Sequence, residues 1–194
     1  SFNSCLLPAG WGNNILNGAD AWLFTDNTGN NLDGSCMALF DDDAIGAGAL
    51  PSWVELTTPV IDASSGSNMV MEFDFNYNNL GAADSFYVDV WDGAQWDNVM
   101  MITEDSAGFW GTPPYPHALI PLVGYTNADF QARFVFNDGG GWAWYVGVDN
   151  VSICEVPPTN CSIDGIVADA QGPCDPLTNE YTQDLIISYS SDPG

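Results

Sequence analysis

Twenty-six Asp and Glu residues stand against a single arginine, Arg133, a single histidine, His117, and no lysine. Chemistry that needs a nucleophile and a base has little to draw on. A Ser-His-Asp arrangement requires an imidazole, and His117 sits in the proline-rich stretch Pro113-Pro-Tyr-Pro-His117. No Gly-x-Ser-x-Gly elbow, phosphate-cradling glycine loop or HExxH helix occurs. Paired carboxylates on one strand could hydrolyse glycosides, but the string Glu72-Phe-Asp74-Phe-Asn-Tyr77 places tyrosine where a second Glu would supply the proton. Glu72 and Asp74 read instead as the solvent face of an alternating strand.

Carboxylates without cations favour a different chemistry, the binding of a hard metal ion. A formal charge of −25 makes the folded chain repel itself, and bound cations relieve that repulsion. Calcium takes oxygen ligands from short acidic side chains and backbone carbonyls. Asp41, Asp42 and Asp43 follow an apolar run and precede Ala-Ile-Gly-Ala-Gly, a loop whose carbonyls could complete a cage. Asp149 interrupts the apolar segment Trp144 to Ile153, where an unpaired carboxylate is costly to bury. Asp20 precedes the Trp22 segment. Their ordinary roles are a turn acid, a charged loop and an edge residue; calcium is the chemistry that would gather all five.

Large aromatics are the third resource. Trp91, Trp110 and Trp142 lie beside Gly-rich turns; exposed, they would stack on sugar rings, and buried, they belong to a core. Arg133 is expected to pair with a neighbouring carboxylate. A basic patch for nucleic acid or for an anionic membrane surface cannot be built from one arginine, and no apolar stretch is long enough to insert as a membrane helix.

The elements that must position these residues are strands. Helical periodicity is nearly absent, while period-2 segments recur between Gly, Asn, Asp and Pro. Met69 to Tyr77, Phe86 to Trp91, Gln95 to Ile102, Phe130 to Phe136 and Trp142 to Cys154 are the clearest. Ala21 to Phe24, Cys36 to Phe40 and Trp53 to Ile61 are further candidates. Eight short strands at this spacing predict an all-β fold, an antiparallel jelly-roll β-sandwich. Residues 1–155 form it, 156–159 are a Pro-rich linker, and 160–194 begin a second, truncated β-module. Five cysteines without a CxxC pair fit disulfides in an oxidising compartment. If the first and last strands are neighbours, Cys5 pairs with Cys154, with Cys5–Cys36 the alternative; Cys161–Cys174 is a local pair. The same adjacency would bring Asp20 and the 41–43 loop to Asp149.

An ordered set of strings then resembles a known family: Ala19-Asp-Ala-Trp-Leu-Phe24, Ser35-Cys-Met-Ala-Leu-Phe40, Met71-Glu-Phe-Asp-Phe75, Phe86-Tyr-Val-Asp-Val-Trp-Asp-Gly93 and Val146-Gly-Val-Asp-Asn-Val-Ser-Ile153. It is similar to the MAM-like, choice-of-anchor J and cleaved-adhesin domains of secreted Bacteroidetes proteins, over about residues 1–156. The resemblance implies a non-enzymatic adhesion module at the cell surface, with structural calcium and Asp149 among its ligands. Its partners would be glycans or surface proteins, together with neighbouring domains of the same polypeptide. A carbohydrate-binding module attached to a secreted hydrolase is the alternative. The family often carries an acid directly after its first Phe, where this chain has Asn3. The tail, with Cys161, Cys174 and the Tyr181–Tyr189 alternation, is similar to Ig-like modules of long surface proteins exported by the type IX route.

Overall fold

The computed structural model describes residues 2–26, 32–81, 83–108, 114–156, 162–168 and 185–190. The chain divides into two units, Ser1–Glu155 and Val156–Gly194. In the second, β11 (Ser162–Ala168) and β12 (Leu185–Ser190) form an antiparallel pair. Cys161 and Cys174, proposed as a local disulfide, lie outside the described residues.

The first unit is an antiparallel sandwich of two five-stranded sheets. The first sheet has the order β1 (Gly12–Asn17), β4 (Trp53–Thr57), β9 (Ala132–Asn137), β6 (Ser85–Trp91), β7 (Trp96–Ile102). The second has β2 (Leu23–Thr25), β3 (Met37–Asp41), β10 (Tyr145–Glu155), β5 (Met69–Asn78), β8 (His117–Pro121). This is the jelly-roll architecture that alternation predicts. Among the described residues no helix is long and apolar enough to cross a membrane.

Side-chain alternation decides which face of each strand is dry. Along β5, Met71, Phe73, Phe75 and Tyr77 point inward and are buried. Phe134 and Phe136 do the same on β9 and meet the other sheet at ring separations of 5.0 Å to Phe73 and 5.1 Å to Phe40. These contacts join the two layers. Glu72 lies opposite Leu119 and Ser152 on the outer face, and Tyr77 is core. Two strands lie where the pattern is silent. β1 is a polar, exposed edge, and β8 follows the prolines that read as loop.

The Asp41–Asp43 segment is not an open loop. Asp42–Ile45 form a single helical turn, α1, and Asp41 caps it by accepting from the Ala44 N–H at 3.1 Å. Asp42 is buried and accepts from the Ala143 N–H at 2.7 Å. Asp138, also buried, accepts from the Ser52 and Gly140 N–H groups. The two acids hold the β9–β10 connection against the segment entering β4. Burial raises the Asp42 carboxyl above its ordinary range, and the Asp138 charge adds to that shift.

The pairing of Cys5 with Cys154 is corrected by the structure. Cys5 bonds Cys36, with Cα atoms 5.1 Å apart, and Cys154 is an exposed free thiol. The reason is topological. The first strand, β1, pairs with β4 in one sheet, while β10 lies between β3 and β5 in the other. The N-terminal segment therefore meets the residues entering β3, where Cys36 stands, and Cys154 is carried away along β10 opposite Val70.

Two outcomes follow from these contacts. Without reductant, alkylation should label Cys154 and leave Cys5 and Cys36 unlabelled. Cys36→Ser should lose about 3–4 kcal/mol for a 31-residue separation, while Cys154→Ser loses little; equal losses would contradict the pairing. For Asp42, a folded-state pKa above the unfolded value means the native state takes the proton first as pH falls. Its contribution to stability therefore grows on acidification and shrinks as pH rises. Asp42→Asn removes that dependence, so its melting temperature relative to wild type should be higher near pH 7 than at about pH 4.

Candidate functional site

Asp149 lies near the middle of β10, on the outer face of the second sheet, yet it is fully buried. Directly after it Asn150 adopts φ +54°, and the β10–β5 register shifts between Asp149 and Ser152. This is a bulge. Such bulges re-aim side chains and concentrate beside functional sites. Left-handed φ suits asparagine better than most residues, and here the Asn150 amide is put to use as well. Its Nδ2 donates to Asp74 Oδ2 at 2.8 Å and to Asp33 Oδ2 at 3.2 Å. His117 Nδ1 lies 2.8 Å from the other oxygen of Asp74.

The segment Leu32–Cys36 folds over Asp149. Asp33 Oδ1 accepts from the Ser35 N–H at 2.8 Å, the turn an Asx residue makes with its own backbone. Ser35 Oγ then lies 2.6 Å from Asp33 Oδ1 and 3.1 Å from Asp149 Oδ2. A hydroxyl has one proton to donate, so it cannot satisfy both carboxylates at once. Asp149 Oδ1 is buried and accepts no hydrogen bond. Burial raises the Asp149 carboxyl and the Asp33 charge raises it further, opposed by the Asn150 and Phe2 backbones and the Ser35 hydroxyl. Hydrogen bonds from the Ser35 side chain and backbone lower Asp33.

An unsatisfied buried acceptor costs roughly 1–3 kcal/mol. The Asp149 and Asp33 carboxylates, joined through the Ser35 hydroxyl, form an all-oxygen donor set, which suits a hard cation such as calcium and not a soft one. Among the described residues the side chain that reaches the Asp149 carboxylate is a hydroxyl, and the nearby imidazole of His117 is engaged by Asp74. Cys5, Cys36 and Asp26 do cluster, but both thiols are consumed by the disulfide.

The other expected ligands lie elsewhere. Asp41 pairs with Tyr145 in the β3–β10 register, four residues before Asp149, or about 13 Å along the strand. Asp20 is exposed and shares a shallow pocket with Asp41 and Leu23. Asp42 is committed to Ala143, and Asp43 belongs to α1. The structure thus brings Asp20 to Asp41 but neither to Asp149. Asp33 and Ser35 take that place, and sequence reasoning missed them. The available signal was register: extending the Val148–Ala38 pairing sets Met37 opposite Asp149, so the residues entering β3, Ser35 among them, lie beside it.

The aromatic residues also separate. Trp91 hydrogen-bonds through its backbone to Gln131 at the start of β9. Trp142 is 40% exposed, packs edge-on against Trp144 at 5.3 Å and follows the Asp138–Gly141 loop at the other end of that strand. From Gln131 to Asp138 is about 23 Å, so the two do not form one platform. Trp110 lies outside the described residues. A different aromatic group emerges on the outer face of the first sheet. Trp53 on β4 donates from Nε1 to the Tyr87 hydroxyl on β6 at 3.1 Å. Arg133 on β9 donates to Glu55 and to Asp89, each at 2.9 Å. Its guanidinium lies 4.5 Å from the centre of the Trp96 ring.

No protein-family model matches the chain, and no curated protein matches it. Among solved structures it is similar to the K1 cleaved adhesin domain of Lys-gingipain from Porphyromonas gingivalis W83. That match has 16% identity and a TM-score of 0.60, over 80% of this chain and 96% of that one. The K2 cleaved adhesin domain of Lys-gingipain matches at 15% identity and a TM-score of 0.54, over 80% and 96%. The carbohydrate-binding module TmCBM61, solved with β-1,4-galactotriose, matches at 11% identity and a TM-score of 0.54, over 80% and 94%. At these identities the likeness is one of fold, and that fold is the jelly-roll β-sandwich of adhesin and carbohydrate-binding domains.

Proposed function

We propose that the first unit is a non-catalytic extracellular adhesion or display module of a larger secreted or cell-surface polypeptide, with calcium fastening its seam at Asp149. The observation that carries the calcium is the buried, unpartnered Asp149 Oδ1 beside Asp33 and a hydroxyl shared by two carboxylates. Asp149, Asp33 and the Ser35 hydroxyl would hold the ion. Its charge would offset the repulsion between the two acids and supply the partner that Oδ1 lacks. No catalytic step is assigned to it. A disulfide between Cys5 and Cys36 favours an oxidising compartment, and the likeness to adhesin domains supports a place outside the cell. Export by the type IX route belongs to the same reading. Glycan binding is a second reading, favoured by the outward aromatic and ion-pair cluster around Arg133.

Calcium bound by the native state alone adds RT ln(1 + [Ca]/Kd), about 2.7 kcal/mol at a hundredfold excess over Kd. That corresponds to a rise in melting temperature on the order of 5–10 °C for a domain of this size. Melting in millimolar calcium and then in EDTA should show the rise. Asp149→Asn should abolish it, and Asp20→Asn should preserve it. An unchanged wild-type melting temperature, or a full calcium response in Asp149→Asn, would remove the metal from this account.

A further inference from the structure

We propose that the outer face of the first sheet is the binding site for an uncharged glycan chain, laid across β4, β9, β6 and β7. This rests on the glycan reading above and names its site and its ligand class. Strand register defines the face. Trp53 and Glu55 on β4, Arg133 on β9, Tyr87 and Asp89 on β6 and Trp96 on β7 all point away from the core. The residues between them, Val54, Leu56, Phe134, Phe86 and Val88, fill it. The row holding Trp53 also holds Asn137 and Ser85, and Trp96 pairs with Trp91 six residues further along β6. Trp53 and Trp96 therefore stand about 14 Å apart across the strands and about 20 Å apart along them. That spacing suits an extended oligosaccharide rather than one sugar.

The side chains between the two rings are what sugar recognition requires: flat apolar surfaces for C–H faces, and fixed polar groups for hydroxyls. Trp53 is 41% exposed. Its Nε1 already donates to Tyr87, so the Tyr87 oxygen is engaged as acceptor while its own proton remains available to donate. Burial raises the Tyr87 phenol above its ordinary range, and the group stays a donor. Arg133 is clamped by Glu55 and Asp89 and stacked on Trp96, so its remaining N–H groups keep a fixed direction before any ligand arrives. Asn14 and Asn98 extend the same network by donating to Glu55 and Asp89.

Charge selects the class of ligand. The one guanidinium is neutralised by two carboxylates, and the chain as a whole carries −25. An anionic polysaccharide, a nucleic acid or an acidic protein segment would be repelled, whereas a neutral glycan pays no such penalty. A purely structural latch would need neither the exposed indole of Trp53 nor its alignment with Tyr87 on the solvent side.

The test is affinity electrophoresis of the full chain, with calcium present, in native gels containing soluble galactan, mannan, xylan or hydroxyethylcellulose, with alginate as the anionic control. At least one neutral polymer should retard the protein and alginate should not. Trp53→Ala and Trp96→Ala should each weaken retardation about tenfold or more. Tyr87→Phe, which keeps the ring and removes one hydroxyl, should weaken it several-fold at an unchanged melting temperature. Leu119→Ser, on the second sheet, should bind as wild type. If the wild type is retarded and the face variants are retarded equally, the site is overturned and the glycan reading stands. If no neutral polymer retards the wild type, or alginate alone does, both are overturned.

Discussion

A chain with 26 acidic side chains and one guanidinium must satisfy its buried acids almost without cationic side chains. Among the described residues five aspartates are buried: Asp42, Asp84, Asp89, Asp138 and Asp149. Four are met by donors. Asp42 takes the Ala143 N–H, Asp138 takes those of Ser52 and Gly140, and Asp84 takes those of Leu80 and Gly81 and the Asn79 amide. Asp89 takes the arginine and Asn98. Backbone N–H groups thus do most of what lysines do elsewhere, and they tie loops together in doing so. Among the described residues, Asp149 is the acid left with a fully buried oxygen that no donor reaches. That buried, unmet oxygen is the observation on which the proposed ion rests, since buried polar atoms are ordinarily hydrogen-bonded.

Spending the single arginine on the outer face has a related consequence. Arg133 is only 22% exposed, between Glu55 at 13% and Asp89 at 7%. A pair or triad this dry gains little net stability against its desolvation, but removing one partner is costly. The core beneath is already closed by Phe73, Phe134, Phe40 and Phe136, so the triad is not needed to hold the layers. What it does fix is geometry, because three strands present their polar groups in one register on a surface that also carries Trp53, Tyr87 and Trp96.

Legibility in the sequence followed burial. Strands with one dry face, such as β5, β6 and β9, announced themselves because Met71, Phe73 and Phe75 or Phe134 and Phe136 must alternate with polar residues. β1 did not, because an exposed edge strand of Gly, Asn, Ile and Leu buries almost nothing and leaves no period to read. β8 did not, because prolines flank a short exposed run whose pairing is set by β5. At the site, Asp149 was legible as a carboxylate inside an apolar strand. Asp33 and Ser35 were not, since Asp-Gly-Ser is ordinary turn composition and its role arises only when β3 pairs with β10. The cysteine pairing failed for the same reason, as sheet membership and not chain order decides which segments meet.

That sheet membership also explains why one corner matters mechanically. Phe2 is fully buried against Trp11 and Phe24 at 5.1 and 5.5 Å. Cys5 is fastened to Cys36, and one residue before Cys36 the Ser35 hydroxyl reaches Asp149. An apolar plug, a covalent bond and an acid cluster therefore hold the same N-terminal segment and β3 against β10. The first two do not titrate in the range where carboxylates do. The third varies with pH, because Asp149 is the member whose charge burial disfavours. Tension along the chain that peels this segment from β10 would open Asp149 to water, and an ion coordinated across Asp33 and Asp149 would resist that separation directly.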